Sequence, residues 1–149
     1  MKPTPDRLSL EHYPQVTEIA ARFSDVDMFR HLNNVAIGQF YEEVRFAMVA
    51  RLREVLPSDR GGRVTVVNVD TAYLREARYP GLVTVATGLA QRARRSFVLG
   101  QALFQNGVCF STADTTLVYV ENGAPAPLPS AFDEILGRLA LASLTDVAG

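Results

Sequence analysis

The feature that most constrains this fold is a change of periodicity near residue 57. Upstream of it, Ile37, Phe40, Tyr41, Val44, Met48, Leu52 and Val55 recur at steps of three and four. That spacing lays apolar side chains along one face of an α-helix of roughly six turns. The segment PSDRGG, Pro57 through Gly62, stops the helix, and from Arg63 to Val120 the chain reads as strand broken by turns. Val64 to Leu74 is rich in β-branched residues. Tyr79-Pro80-Gly81 turns into LVTVATGLAQ, and Arg92 to Ser96 (RARRS) forms the next turn. FVLGQALFQ then runs to Asn106-Gly107, a strong two-residue hairpin signal, and Val108 to Val120 makes the last long strand. Ahead of the helix, Thr17, Ile19, Ala21 and Phe23 alternate with Glu18, Ala20 and Arg22, the period of a half-buried strand. After the proline-rich stretch, SAFDEILGRLALASL predicts a short C-terminal helix within residues 124–145.

The expected order is strand, long helix, then four antiparallel strands: an α+β chain whose sheet buries the helix by wrapping around it. A chain of 149 residues is long enough for one independent core, placed here at about residues 15–121 of a single domain. Such a sheet keeps an open edge, and pairing it with a second copy predicts a homodimer or homotetramer. Fifteen basic against sixteen acidic residues exclude the basic excess of a nucleic-acid binder. MKPTPDRLSLEHYPQ holds three prolines and no apolar run, and no stretch is long enough to span a bilayer, so no membrane association is expected. One cysteine, Cys109, allows no disulfide framework and predicts a reducing, cytoplasmic setting. It falls among Val108 and Phe110 and reads as core.

Polar groups crowd at Asp25 to Asn34, between two apolar elements. Asn33 and Asn34 are good helix N-caps, and the helix start offers unpaired N–H groups and a positive dipole end. Such a terminus polarises a carbonyl oxygen while a neighbouring carboxylate attacks the carbonyl carbon or activates water, which together suffice for acyl transfer. Asp25 or Asp27 can equally be turn caps. The spacing of Asp25, Asp27 and His31 matches no familiar metal-ligand loop, so no metal is expected. His12 stands alone near the terminus and reads as solvated.

Taken whole, RFSDVDMFRHLNNVAIGQFYEEVR (Arg22 to Arg45) resembles the hotdog-fold acyl-CoA thioesterases of the 4-hydroxybenzoyl-CoA thioesterase type, and is similar to the related acyl-carrier-protein thioesterases. The match runs through Arg22, Asp25, Asp27, His31, Asn33, Asn34 and Glu42, and YLREARYPGLVTVAT extends it toward Val120. The resemblance implies a hotdog fold and hydrolysis of acyl-CoA without a cofactor, CoA being part of the substrate. It makes Asp27 the nucleophile or general base and places the oxyanion hole at the helix start near Asn34. His31 and Asn33 take supporting roles. It further implies that basic residues on a surface turn hold the CoA phosphates, which points to Arg92, Arg94 and Arg95 beside Ser96; a solvated charged turn is the plainer reading.

Three positions depart from the family pattern. Phe29 stands two residues after Asp27 where carrier-protein thioesterases place an Asn, Arg30 replaces the usual Gly before the His, and Ile37 replaces an aromatic. The departures favour the acyl-CoA type, with Phe29 as a substrate contact or ordinary pocket lining. They also keep open a non-catalytic protein that binds acyl-CoA or an acyl ligand. A hotdog dehydratase fits the motif less well. Glu42, Glu43 and Tyr41 read as solvated face and core.

Overall fold

The computed structural model describes residues 2–57 and 61–146. Ser58, Asp59 and Arg60, within the expected PSDRGG turn, lie outside the described residues. Strand β1 (Gln15–Ala20) leads through a 3₁₀ turn at Phe23–Asp25 to helix α1 (Asn34–Glu54). Strands β2 (Gly62–Tyr73), β3 (Leu82–Arg92), β4 (Ser96–Gln105) and β5 (Val108–Glu121) follow, and then a two-residue β6 (Ala124–Pro125). The chain closes with α2 (Asp133–Gly137) and β7 (Ala140–Asp146). Four of these strands run in the spatial order β3, β4, β5, β2, with β1 on the far edge of β3. Antiparallel pairing with register breaks at Val67, Ala90 and Phe110 curls the sheet around α1. This is the sheet wrapped around one long helix that the periodicity predicts, and the hotdog fold that the resemblance implies.

α1 forms where its apolar stripe can be covered. Ala36, Ile37, Phe40, Tyr41 and Val44 pack on Val83, Val85, Leu103, Phe110 and Ala113. Met48 and Leu52 pack on Leu89, Phe97, Leu99 and Leu117 and are closed over by Phe132 and Leu136. Each fully buried leucine contributes about 2 kcal/mol. The interior also carries polar ties. The Tyr41 hydroxyl donates to Ser111 Oγ at 2.7 Å, and Arg45 Nη1 to Thr115 Oγ1 at 3.2 Å.

The outer face of the sheet is covered by the N-terminal segment. Arg7 lies over it, donating to Asp114 Oδ1 at 2.6 Å and, through Nε, to the Tyr13 hydroxyl at 3.0 Å. Gly88 and Gly100 face each other on β3 and β4, and their missing side chains make room there. A Cβ on Gly88 would come within 2.3 Å of Leu141 Cδ2, and one on Gly100 within 2.7 Å of Arg7 Nη2.

The C-terminal helix is shorter than expected. It ends at Gly137, and Ala140–Asp146 is a strand parallel to β3. The reason is a vacant edge: β1 covers β3 only from Leu82 to Thr87, so Leu89 to Arg92 needs backbone partners. No helix among the described residues is long and apolar enough to cross a membrane.

Candidate active site

The segment between β1 and α1 is built around two carboxylates with different duties. Asp25 is buried, and both its oxygens are used. Oδ2 accepts from the Arg22 backbone N–H at 2.7 Å and from Arg22 Nε at 3.3 Å, and Oδ1 accepts from Arg22 Nη2 at 3.0 Å. Burial alone would push this carboxyl up, but the hydrogen bonds from Arg22 outweigh it and hold Asp25 below its ordinary value. Its carbonyl accepts the Asn33 N–H at 3.0 Å, which delivers the chain to the helix start. Asp25 is a structural cap.

Asp27 is exposed and only half used. Oδ1 accepts the N–H groups of Phe29 at 2.8 Å and His31 at 3.1 Å. Among the described residues no hydrogen-bond donor reaches Oδ2. The turn is closed by Arg30 N–H to the Asp27 carbonyl at 3.0 Å and by Asp27 N–H to the His31 carbonyl at 2.9 Å. Arg30 takes the left-handed conformation there, with φ of 64°.

Asn33 is the N-cap, its Oδ1 accepting the Ala36 N–H at 2.8 Å. Asn34 and Val35 open α1, and their N–H groups have no acceptor in the preceding turn. Beside them lies a cleft of about 290 Å³, lined by His31, Leu32, Asn34 and Ile37 on one wall and by Tyr73 to Ala77 on the other. His31 Nε2 sits 3.2 Å from Glu76 Oε2 across it. Glu76 was not legible as a site residue; its one signal is a carboxylate between Arg75 and Arg78 just past the end of β2.

The structure thus brings His31 and Asn34 to one cleft, with Asn33 capping behind them and Asp27 hydrogen-bonded to the His31 backbone. It does not bring in the others. Phe29 is 69% exposed on the turn, its ring tilted against His31 with centroids 6.4 Å apart. Arg92, Arg94, Arg95 and Ser96 lie at the opposite end of β3, about 30 Å along the strand from the Asp27 turn. There Arg92 is paired with Asp133. The carbonyls of Arg94, Arg95 and Ser96 accept from Leu128, Tyr119 and Ala93 at 2.9, 3.0 and 2.8 Å. Glu42 and Glu43 are exposed, Tyr41 is core, and Cys109 is buried, which pushes its thiol up. Among the described residues no group of three or more His, Cys, Asp or Glu side chains is placed to hold a metal ion.

The stretch from residue 21 to 136, which contains the turn, the helix, the cleft and α2 up to Leu136, matches the model of the thioesterase-like superfamily. The chain belongs to that superfamily. No curated protein matches it. Among solved structures, the PA5185 protein from Pseudomonas aeruginosa is similar with a TM-score of 0.76 at 20% identity, over 90% of this chain and 96% of that one. The probable thioesterase YbaW from Escherichia coli gives 0.71 at 23% identity, over 84% and 98%. At these identities the likeness is one of fold. A Thermus thermophilus thioesterase, solved in complex with coenzyme A and zinc, gives 0.70 at 26% identity over 87% and 96%. Superfamily membership supports thioester hydrolysis as the general activity.

Proposed function

We propose that the chain is an acyl-CoA thioesterase of the 4-hydroxybenzoyl-CoA thioesterase type, which releases a free acid and CoA. One observation carries the reading: Asp27 has one oxygen fixed by two backbone N–H groups and the other open, on the turn that feeds a helix start whose Asn34 and Val35 N–H groups stay free beside a cleft. Held by Oδ1, the carboxylate presents Oδ2 to a water. Oδ2 takes the proton as the water oxygen bonds to the thioester carbon. The oxyanion that forms is received by the N–H groups at Asn34 and Val35, which are preorganised and need no reorientation. Collapse breaks the carbon–sulfur bond, and the proton passes from Asp27 to the departing CoA thiolate. Direct attack by Asp27, with hydrolysis of the resulting anhydride, uses the same groups. His31, held by Glu76, and Asn33, fixed as the cap, are positioning residues.

A CoA-phosphate role for Arg92, Arg94, Arg95 and Ser96 requires a second subunit to bring that turn to the cleft, since one chain keeps them apart. The reading is tested by thiol release from short, long and aromatic acyl-CoAs, with wild type and Asp27→Asn side by side. The expected result is turnover that falls about 10³-fold in the variant. Near-normal turnover in Asp27→Asn would overturn the assignment of Asp27.

A further inference from the structure

One arginine lines the cleft and two more neighbour His31 on its wall. Arg75 lines it, Arg78 forms an isolated antiparallel bridge with His31, and Arg30 immediately precedes His31. Arg7, Arg22, Arg92 and Arg138 each have a carboxylate partner, whereas among the described residues none is in ion-pair contact with Arg30, Arg75 or Arg78, as is true also of the exposed Arg51, Arg53, Arg63, Arg94 and Arg95 away from the cleft. The one acid on that wall of the cleft, Glu76, is engaged by His31.

Backbone contacts set the segments that carry Arg30 and Arg78 side by side. The Tyr79 N–H donates to the Arg30 carbonyl at 3.3 Å. Gln105 grips both sides of Arg78, accepting its N–H at 2.9 Å and donating to its carbonyl at 2.7 Å. Facing residues of an antiparallel bridge lie about 5 Å apart at Cα, so the bridge sets Arg78 opposite His31, with Arg30 one residue before it. Arg30 carries a cost, because a left-handed φ of 64° disfavours any residue with a Cβ by about 1 kcal/mol relative to glycine. An exposed residue there gains nothing for the fold by being arginine.

We propose that Arg30, Arg75 and Arg78 form a carboxylate-recognition rim, so that the preferred substrates are thioesters whose acyl group carries its own negative charge. The inference rests on the thioesterase reading and names its substrate class. Guanidinium forks match the two oxygens of a carboxylate. The acyl half of the substrate is favoured over the CoA phosphates because Arg75 lines the same small cleft as Asn34. The long pantetheine arm carries the phosphates away from the thioester carbon that Asn34 would face.

The test compares glutaryl-CoA with pentanoyl-CoA, equal in length and differing by the terminal carboxylate, and repeats both as N-acetylcysteamine thioesters that lack the nucleotide. Wild type, Arg30→Gly and Arg78→Gln are assayed; glycine suits the left-handed position, so Arg30→Gly is expected to fold. The readout is the ratio of kcat/KM for the glutaryl over the pentanoyl ester. Wild type is expected to favour glutaryl esters on both carriers, and each variant to lower the ratio by about tenfold or more. A purely structural effect moves both esters together and leaves the ratio fixed, which overturns the proposal. A loss on both CoA esters and on neither N-acetylcysteamine ester also overturns it, assigning the rim to the phosphates. Calorimetry with glutarate separates this from the activity. Glutarate binding that weakens in both variants, in a protein that hydrolyses nothing, upholds the rim and removes the thioesterase reading. Absence of both hydrolysis and glutarate binding in wild type overturns both.

Discussion

Asp25 and Asp27 stand two residues apart and differ in every respect that decides function. Asp25 is buried with all its contacts made, so its contribution is to stability. Asn in its place turns an N–H donor toward Arg22 and is expected to cost about 2 kcal/mol at pH 7. The sign of the pH dependence follows from the lowered carboxyl. The stabilisation is fully present above the unfolded value, near 4, and is lost as pH falls through the lower folded value. Thermal melts from pH 7 to pH 2 check this: the gap between wild type and Asp25→Asn closes as the medium becomes acid. A gap that stays constant would mean that the Arg22 contacts do not hold the charged form.

At the scale of elements, α1 and the four strands after it were legible because each follows one simple period and buries its apolar set accordingly. Leu52 is fully buried at the end of that stripe. Leu52→Ala is expected to destabilise by about 3 kcal/mol in urea unfolding, and a change below 1 kcal/mol would show that the core around Phe132 and Leu136 closes over the gap. β7 was not legible. Its segment ALASLTD carries helix-forming residues, and what makes it a strand is the vacant half-edge of β3, a fact about register rather than composition. In the site, the motif exposed Asp27, His31, Asn33 and Asn34, because helix capping and turn chemistry are local. Glu76 reaches His31 from a segment 45 residues on, and no local pattern reports such a pairing. The same holds for the ties from Tyr41 to Ser111 and from Arg45 to Thr115, which put polar groups beneath a helix face that reads as apolar. The distance from the Arg92 turn to the cleft was equally hidden, since it depends on which end of β3 faces the Asp27 turn.

For the whole molecule, the decisive feature is the open edge of β2. Among the described residues β2 pairs only with β5, and Val67, Val69 and Tyr73 on it are 58, 46 and 52% exposed. Unpaired backbone with apolar side chains is a template for another strand, and an antiparallel partner that is a second copy makes a self-complementary contact about a two-fold axis. A groove beside it, between α1 and β2, carries exposed Phe46 along with Arg45, Arg53 and Glu42, so both signs of charge are available for such a contact. Sedimentation is therefore expected to find wild type as a dimer or tetramer. Val67→Lys with Val69→Lys, placing two charges on the edge, should shift it to monomer. If a second subunit supplies the Arg92 turn, KM for an acyl-CoA rises in the monomer while KM for the N-acetylcysteamine ester does not. The reason is that only the former ester has phosphates for those arginines to hold. A doubly substituted chain that still sediments as wild type would place the subunit contact elsewhere. A monomeric one with unchanged KM would show that the arginine turn has no part in binding CoA.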